Sequence, residues 1–196
     1  MTRKPVVTST ETLARTRLFR IERVGLRFAN GREADFERLR SPANGAVLVV
    51  PMLDAGTVLL IREYAAGVER YELALPKGRI EDGEAVAEAA NREIMEEVGY
   101  GARRFTSLKT LTLAPGAFDH ATHVVLAEEL YPARLEGDEP EALEVVPWEL
   151  SRLRELLAHE ECTEARSIAA LYMARDLLRV RNPRHRDVPP AVPGDA

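Results

Sequence analysis

From Leu18 onward, apolar and charged residues alternate through LFRIERVGLRFANGREADFERLR. A period of two predicts a strand pair, and Asn30-Gly31 readily supplies the positive φ values of a two-residue turn between them. The alternation changes phase between Ile21 and Val24, which predicts a bulge there. Residues 6–16, ahead of this pair, are polar and predict no element. After Pro42 and Gly45 come two apolar runs, AVLVVPML and TVLLIREY, split by Asp54-Ala55-Gly56 and read as buried strands. RYELAL, before Pro76, predicts a further strand. The period then lengthens to four: Val86, Ala90, Ile94 and Val98 form one stripe, predicting a helix over 84–98 that Gly99 stops. FTSLKTLTLAPG and HATHVVLAEEL predict another strand pair about the turn-rich APGAFDH. LEGDEPEALE is predicted to be a loop, since Gly137 and Pro140 break any helix. EVVPWELSRLRELLAHEE and TEARSIAALYMARDLLRV predict two amphipathic helices, the first starting near Pro147. The proline-rich tail after Arg181 is expected to be mobile, and no internal repeat interrupts this mixed α/β order.

Composition narrows the function. At 196 residues the chain can form one domain with a small appended element. A net charge of -5 argues against a nucleic-acid surface held by phosphate contacts. It leaves room for a phosphate-bearing substrate, because a metal ion can supply positive charge. Cys162 is the only cysteine and cannot form an internal disulfide, so a reducing compartment is expected. No apolar run approaches the roughly 20 residues of a membrane span. The start MTRKPVVTSTET lacks the apolar core of a signal peptide, so a cytoplasmic location with no membrane partner is expected.

The chemistry concentrates in GRIEDGEAVAEAANREIMEEVGY, residues 78–100. Glu93, Glu96 and Glu97 share one helical face, where like charges repel. Arg92 alone cannot neutralise three acids, and a helix C-terminus disfavours negative charge. Hard divalent cations, Mg²⁺ or Mn²⁺, prefer such oxygen donors and bridge to substrate phosphates. An isolated EIMEE is more often a solvated acidic face. The spacing changes that: Gly78, five residues, Glu84, seven residues, then Arg92-Glu93-Ile94-Met95-Glu96-Glu97-Val98-Gly99. This resembles the Nudix hydrolase box, G-x5-E-x7-R-E-U-x-E-E-x-G-U with U aliphatic, and departs only at Tyr100 in the last slot. At average residue frequencies, chance gives this pattern in such a chain on the order of once in ten million.

The resemblance implies an α/β; Nudix α/β/α sandwich with a small N-terminal antiparallel β-sheet element, which hydrolyses a nucleoside diphosphate linked to another moiety. It implies Glu93 and Glu97 as principal metal ligands, Glu96 as a further ligand directly or through water, and a backbone carbonyl from the Gly78 region. Arg92 would hold the glutamates in place, and Glu84 would support the loop. ETLARTRLF, LIREYAAGVERYEL, EAANRE, LYPARLEGDEPE and TEARSIAALY extend the resemblance to the ADP-sugar pyrophosphatase branch and its hydrolases of ADP compounds. That branch implies a dimerisation element over 1–44, a Nudix domain over 45–181, a mobile tail over 182–196, and a homodimer. It also places a proline where Pro115 stands, 16 residues past Gly99. Relatives draw the catalytic base from an acidic loop after the box, which makes Glu139 the expected base and Glu141 an auxiliary metal ligand. The alternative for each is a solvent loop with no role.

Arg62, Glu72, Lys77 and Pro115 are the expected substrate contacts, with a surface salt bridge the alternative for Arg62 and a strand-edge acid for Glu72. ADP-ribose enzymes more often carry alanine at the Lys77 position, which argues for breadth across ADP-ribose, NADH and diadenosine polyphosphates. Tyr64, Tyr71 and Phe118 are expected to pack in the core rather than stack on adenine. Trp148 is read as a core anchor and Cys162 as a buried small hydrophobe. His120 and His123, three apart on a strand, face opposite sides and are not read as a metal pair. The expected substrate is an ADP-containing small molecule cleaved to release AMP. A nucleotide-sugar or FAD hydrolase is the alternative. A catalytically silent nucleotide- or RNA-binding domain ranks below both, since nothing would then require the acids of the box.

Overall fold

The computed structural model describes residues 3–41 and 44–181; the expected mobile tail over 182–196 lies outside the described residues. Three antiparallel strands open the chain, β1 (Val6–Arg15), β2 (Arg20–Arg27) and β3 (Glu33–Arg40), in the order β1-β2-β3. β1 corrects the expectation of no element over 6–16. All its residues are exposed, so no buried face imposed the alternation that reveals a strand.

The turn between β2 and β3 also differs from expectation. Phe28 N donates to the Arg32 carbonyl (2.9 Å), and Gly31, at φ 81°, is the one residue of this loop with positive φ. A three-residue loop with a single left-handed glycine therefore replaces the two-residue turn. The expected irregularity falls opposite Ile21 and Glu22, but its extra residue is in β1: β2 pairs with β3 in unbroken register, and β1 shifts register between Thr12 and Ala14 and again between Val7 and Ser9. The phase change has another cause. Glu22 takes the inward slot and is buried beneath Arg20 and Arg38, leaving Ile21 exposed.

The remaining elements run β4 (Ala46–Pro51), β5 (Thr57–Ala65), β6 (Arg70–Ala74), β7 (Lys77–Arg79), α1 (Val86–Glu97), β8 (Tyr100–Thr112), β9 (Ala121–Pro132), β10 (Glu144–Glu149), α2 (Leu153–Leu157) and α3 (Ala165–Arg181). They build two sheets, β10-β5-β6 and β7-β4-β9-β8, with β4 and β9 parallel. Successive residues of one strand serve opposite faces. Val47 and Val49 pack toward Ala90, Ile94 and Val98 of the α1 side, while Leu48 and Val50 pack toward Leu153, Leu156 and Leu171 of the other. A strand covered on both faces reads as an unbroken apolar run, which is why AVLVV does not alternate. The result is an α/β/α sandwich, as expected.

One predicted helix is corrected. Residues 144–149 form β10 on β5, and only a 3₁₀ turn (Leu150–Arg152) and the short α2 follow. Val145 and Val146 favour the extended form, and β10 is an edge strand, where Pro147 costs no ladder bond. Trp148 is partly buried against the α3-side core and donates its indole N–H to the Arg152 carbonyl (3.2 Å). Cys162 is buried and free. Among the described residues, no helix is long and apolar enough to cross a membrane.

Candidate metal centre and active site

α1 builds the site. Glu88 reaches back to the Ala85 N–H (2.9 Å) and closes the first turn. The apolar stripe Ala89, Ala90, Ile94 and Val98 locks the helix on the sheet. Gly99, at φ 77°, ends it. Locking that stripe carries Glu93 and Glu97 into the protein: they are 6% and 4% exposed, charged side chains at positions where burial is costly unless partnered.

Arg92 is the hub. Its Nη1 donates to Glu93 (2.7 Å) and Glu96 (3.2 Å), its Nε to Glu84 (2.9 Å), and its Nη2 to the Arg79 carbonyl (2.9 Å). Glu84 in turn accepts from the Glu81 N–H (3.0 Å), so it ties the loop to the helix, as expected. Glu97 accepts from the Lys77 N–H (2.9 Å). A Cβ on Gly78 would stand 2.0 Å from Oε1 of Glu93, so the Glu93 carboxylate lies directly against the Gly78 backbone. Only glycine leaves that space.

One arginine does not balance this charge. Burial, followed by repulsion from Glu96 and Glu139, pushes Glu93 up to about 7 against the stabilising pull of Arg92. Burial pushes Glu97 up to about 9, opposed by Lys77 and reinforced by Glu93 and Glu139. Glu96 is raised as well, first by burial. Among the described residues no three acidic, histidine or cysteine side chains close on one point as a cage; Arg92 bridges Glu93 and Glu96. The donors nonetheless fit a hard divalent ion. They are carboxylate oxygens with an adjacent glycine backbone, and their raised proton affinity shows an uncompensated demand for positive charge.

This leads to a pH prediction. The ordinary carboxylate value is 4.5, and the folded values of Glu93 and Glu97 lie above it. The folded chain therefore binds protons that the unfolded chain has released, so stability in chelator falls as pH rises from about 4.5 through 7 toward 9. Each fully retained proton is worth up to about 1.4 kcal/mol per pH unit, or roughly 2–4 °C in Tm for a chain of this size. Glu72, Glu84 and Glu164 are held low, and their contribution is lost only as pH falls below the ordinary range. Calorimetric scans in chelator are expected to show Tm declining from pH 5 to 9, and saturating Mg²⁺ is expected to flatten the decline.

Glu93 and Glu96 open onto a groove of about 890 Å³ that Lys77, Gly78, Arg92 and Glu139 also line, while Glu97, the more deeply buried acid, lies outside the lining. Glu139 belongs here: Gly137 lets its carboxylate fold back over the loop backbone, and Gly137 itself stands over Glu96. Glu141 does not line the groove. Its carboxylate accepts from the Tyr71 hydroxyl (2.9 Å). Glu136 and Asp138 also line the groove, and the acidic density of EGDEPE is the sequence signal that points to them.

The expected substrate contacts separate. Lys77 lines the groove, with its ammonium held by Glu63 (2.5 Å). Glu63 gives no sequence signal. Arg62 lies outside the groove lining, paired with Glu144 and with Glu161 (3.0 Å), the surface-bridge alternative. Glu72 is buried and accepts from Arg70 (2.7 Å) and from the Thr163 N–H (3.2 Å), so it ties β6 to the start of α3. Pro115 is exposed in the 113–120 loop, which docks on β3 through Leu39 N to the Ala117 carbonyl (2.7 Å). Tyr64 and Tyr71 correct another expectation: both are exposed, in edge contact at 5.5 Å, rather than packed in the core. His123 meets Thr110, and His120 meets Ser41 and stacks on Phe118; neither meets the carboxylates.

Residues 42–172 match the NUDIX domain family and residues 5–38 the NudE-type Nudix hydrolase N-terminal domain. The chain is 48% identical to ADP compounds hydrolase NudE of Escherichia coli, over 90% of this chain and 94% of that protein. It is 33% identical to an ADP-ribose pyrophosphatase of Bacillus subtilis, over 72% of this chain and 77% of that protein. A solved structure titled as the crystal structure of an ADP compounds hydrolase superposes with a TM-score of 0.87 at 46% identity, covering 93% of this chain and 98% of that one.

Proposed function

The chain belongs to the NUDIX family and is a Nudix pyrophosphohydrolase of ADP-linked compounds, and from that premise we propose how its own residues divide the work and what it cleaves. The substrates are ADP-ribose, NADH and diadenosine polyphosphates, and AMP is one product of each. Nudix hydrolases use divalent metal ions; here Glu93, Glu97 and Glu96 with the Gly78 backbone would hold Mg²⁺ or Mn²⁺. Bound there, it supplies charge neutralisation for the pyrophosphate and acidifies a water.

The protein residues supply positioning and proton transfer. Arg92, anchored by Glu84 and the Arg79 carbonyl, keeps Glu93 and Glu96 aimed into the groove, and the Lys77 N–H holds Glu97. Lys77 borders the phosphate path. Glu139 takes the proton from the attacking water as the new phosphorus–oxygen bond forms and the bridging phosphoanhydride bond breaks. The observation that carries this assignment is that Glu139 shares one groove with Glu93 and Glu96 while Glu141 is engaged elsewhere.

The N-terminal sheet serves dimerisation. Val6, Val7, Leu13, Ile21 and Phe36 of this small sheet, with Phe19 in the turn between β1 and β2, are exposed apolar residues, a surface suited to a second copy. A cytoplasmic location agrees with one unpaired cysteine.

Chromatography of products after incubation with ADP-ribose, NADH and diadenosine triphosphate tests the reading. AMP is expected from each, with Mg²⁺ required. Preferential turnover of FAD or a nucleotide sugar would favour the other Nudix substrate class. Glu139→Gln is expected to lower kcat about 100-fold with divalent-ion affinity nearly intact. A larger loss in Glu141→Gln would exchange the two roles.

A further inference from the structure

The loop that carries Glu139 has few attachments. Its start is pinned by Ala133 N to the Gly99 carbonyl and Leu135 N to the Met95 carbonyl (both 3.1 Å). Its end is pinned where Leu143 packs against the α1-side core and β10 begins at Glu144. Between these pins the backbone forms no helix or strand. Among the described residues, one side-chain hydrogen bond joins the stretch 136–143 to the body of the fold, from the Tyr71 hydroxyl to Oε1 of Glu141 (2.9 Å). Glu141 is two residues from Glu139, so a change at one end of this bond is felt at the other.

Tyr71 is itself braced. It lies opposite Tyr64 across the β5–β6 ladder, and the two rings meet edge to face at 5.5 Å and 73°. Both rings are largely exposed, 49% for Tyr64 and 43% for Tyr71, so core packing does not account for them. A pair of aromatic rings held on a sheet edge, with one hydroxyl aimed at the loop, is a fixed point for an otherwise loosely held segment.

We propose that Tyr71 is a positioning residue for the hydrolysis, latching the loop through Glu141 so that Glu139 stays over the carboxylate groove. This rests on the reading of Glu139 as the base. Tyr71 lies outside the groove lining. Its effect runs through the fraction of time the loop holds Glu139 over Glu96. The latch acts on the chemical step, so its loss lowers kcat and leaves KM and divalent-ion affinity in place.

The test is steady-state kinetics on ADP-ribose with saturating Mg²⁺, using the full chain. Tyr71→Phe removes only the hydroxyl and keeps the ring contact with Tyr64. Glu141→Ala removes the acceptor, and Glu141→Gln keeps an acceptor oxygen. The expected result is a kcat loss of about 5- to 20-fold in Tyr71→Phe and Glu141→Ala, with KM within twofold. Glu141→Gln is expected to fall less than threefold, and Tyr71→Phe with Glu141→Ala no further than either alone. Additive losses in the double variant, or equal losses in KM and kcat, overturn the latch. Glu139→Gln separates the two readings. If it collapses kcat while Tyr71→Phe and Glu141→Ala stay within twofold of wild type, the latch fails and the base stands. If Glu139→Gln keeps wild-type kcat, the base reading fails and the latch falls with it.

Discussion

Glu97→Gln is expected to lower kcat by about 10²- to 10³-fold on any ADP compound, the effect of losing several kcal/mol of metal-centred stabilisation. The fold should survive. Glutamine keeps an oxygen to accept the Lys77 N–H, and it removes a carboxylate that burial has already pushed up to about 9. In chelator the variant should therefore be at least as stable as wild type, and its Tm should decline less steeply between pH 7 and 9. Those two outcomes, lower activity with equal or higher stability, separate a metal ligand from a structural acid. A structural acid would lose stability and activity together.

Gly78→Ala is expected to have a comparable effect by a different route. The added Cβ would stand 2.0–2.2 Å from the carboxylate atoms of Glu93, far inside contact distance. The neighbour that must move is the end of a side chain rather than backbone. Gly78 also lacks the positive φ seen at Gly31, Gly45, Gly83 and Gly99, so alanine meets no backbone strain. Glu93 would swing away, breaking its bond to Arg92 and leaving the groove without one of its ligands. About a 100-fold loss in kcat/KM with a Tm change of only a few degrees is expected. Gly83→Ala is the matched control. It has open space around it but φ 83°, so it should cost about 1 kcal/mol of stability and leave kcat/KM nearly unchanged. Equal activity in both alanine variants would remove the special role assigned to Gly78.

The legibility of this protein in its sequence follows from which constraints leave periodic traces. The α1 stripe was readable because its apolar residues recur at helical spacing and pack on one sheet face. The acids of the candidate metal site stand out in the sequence because electrostatic cost at fixed spacing has few innocent explanations. β1 was not readable because neither of its faces is buried in the chain, so no alternation was required. β10 is not legible in the sequence because Pro147 commonly starts a helix but is equally at home on an edge strand. Within the site, Glu139 and Glu141 stand two residues apart in the same acidic loop, and composition cannot tell them apart. Their difference is tertiary: a groove for one and the Tyr71 hydroxyl for the other. Arg62 illustrates the same limit, since a charge at the end of an apolar strand suits a ligand or a salt bridge, and Glu144 and Glu161 are distant in sequence.

The account turns on one claim, that the Glu93, Glu96 and Glu97 face is a divalent-ion site whose repulsion the ion relieves. Titrating Mn²⁺ into the full chain at pH 7.5 by calorimetry, in two buffers of different ionisation enthalpy, tests it most directly. The account predicts saturable binding with net proton release, because carboxylates with raised proton affinity must give up protons to the ion. It further predicts that Glu97→Gln weakens binding at least tenfold and reduces the proton release. Binding of equal strength and equal proton release in wild type and Glu97→Gln would contradict it.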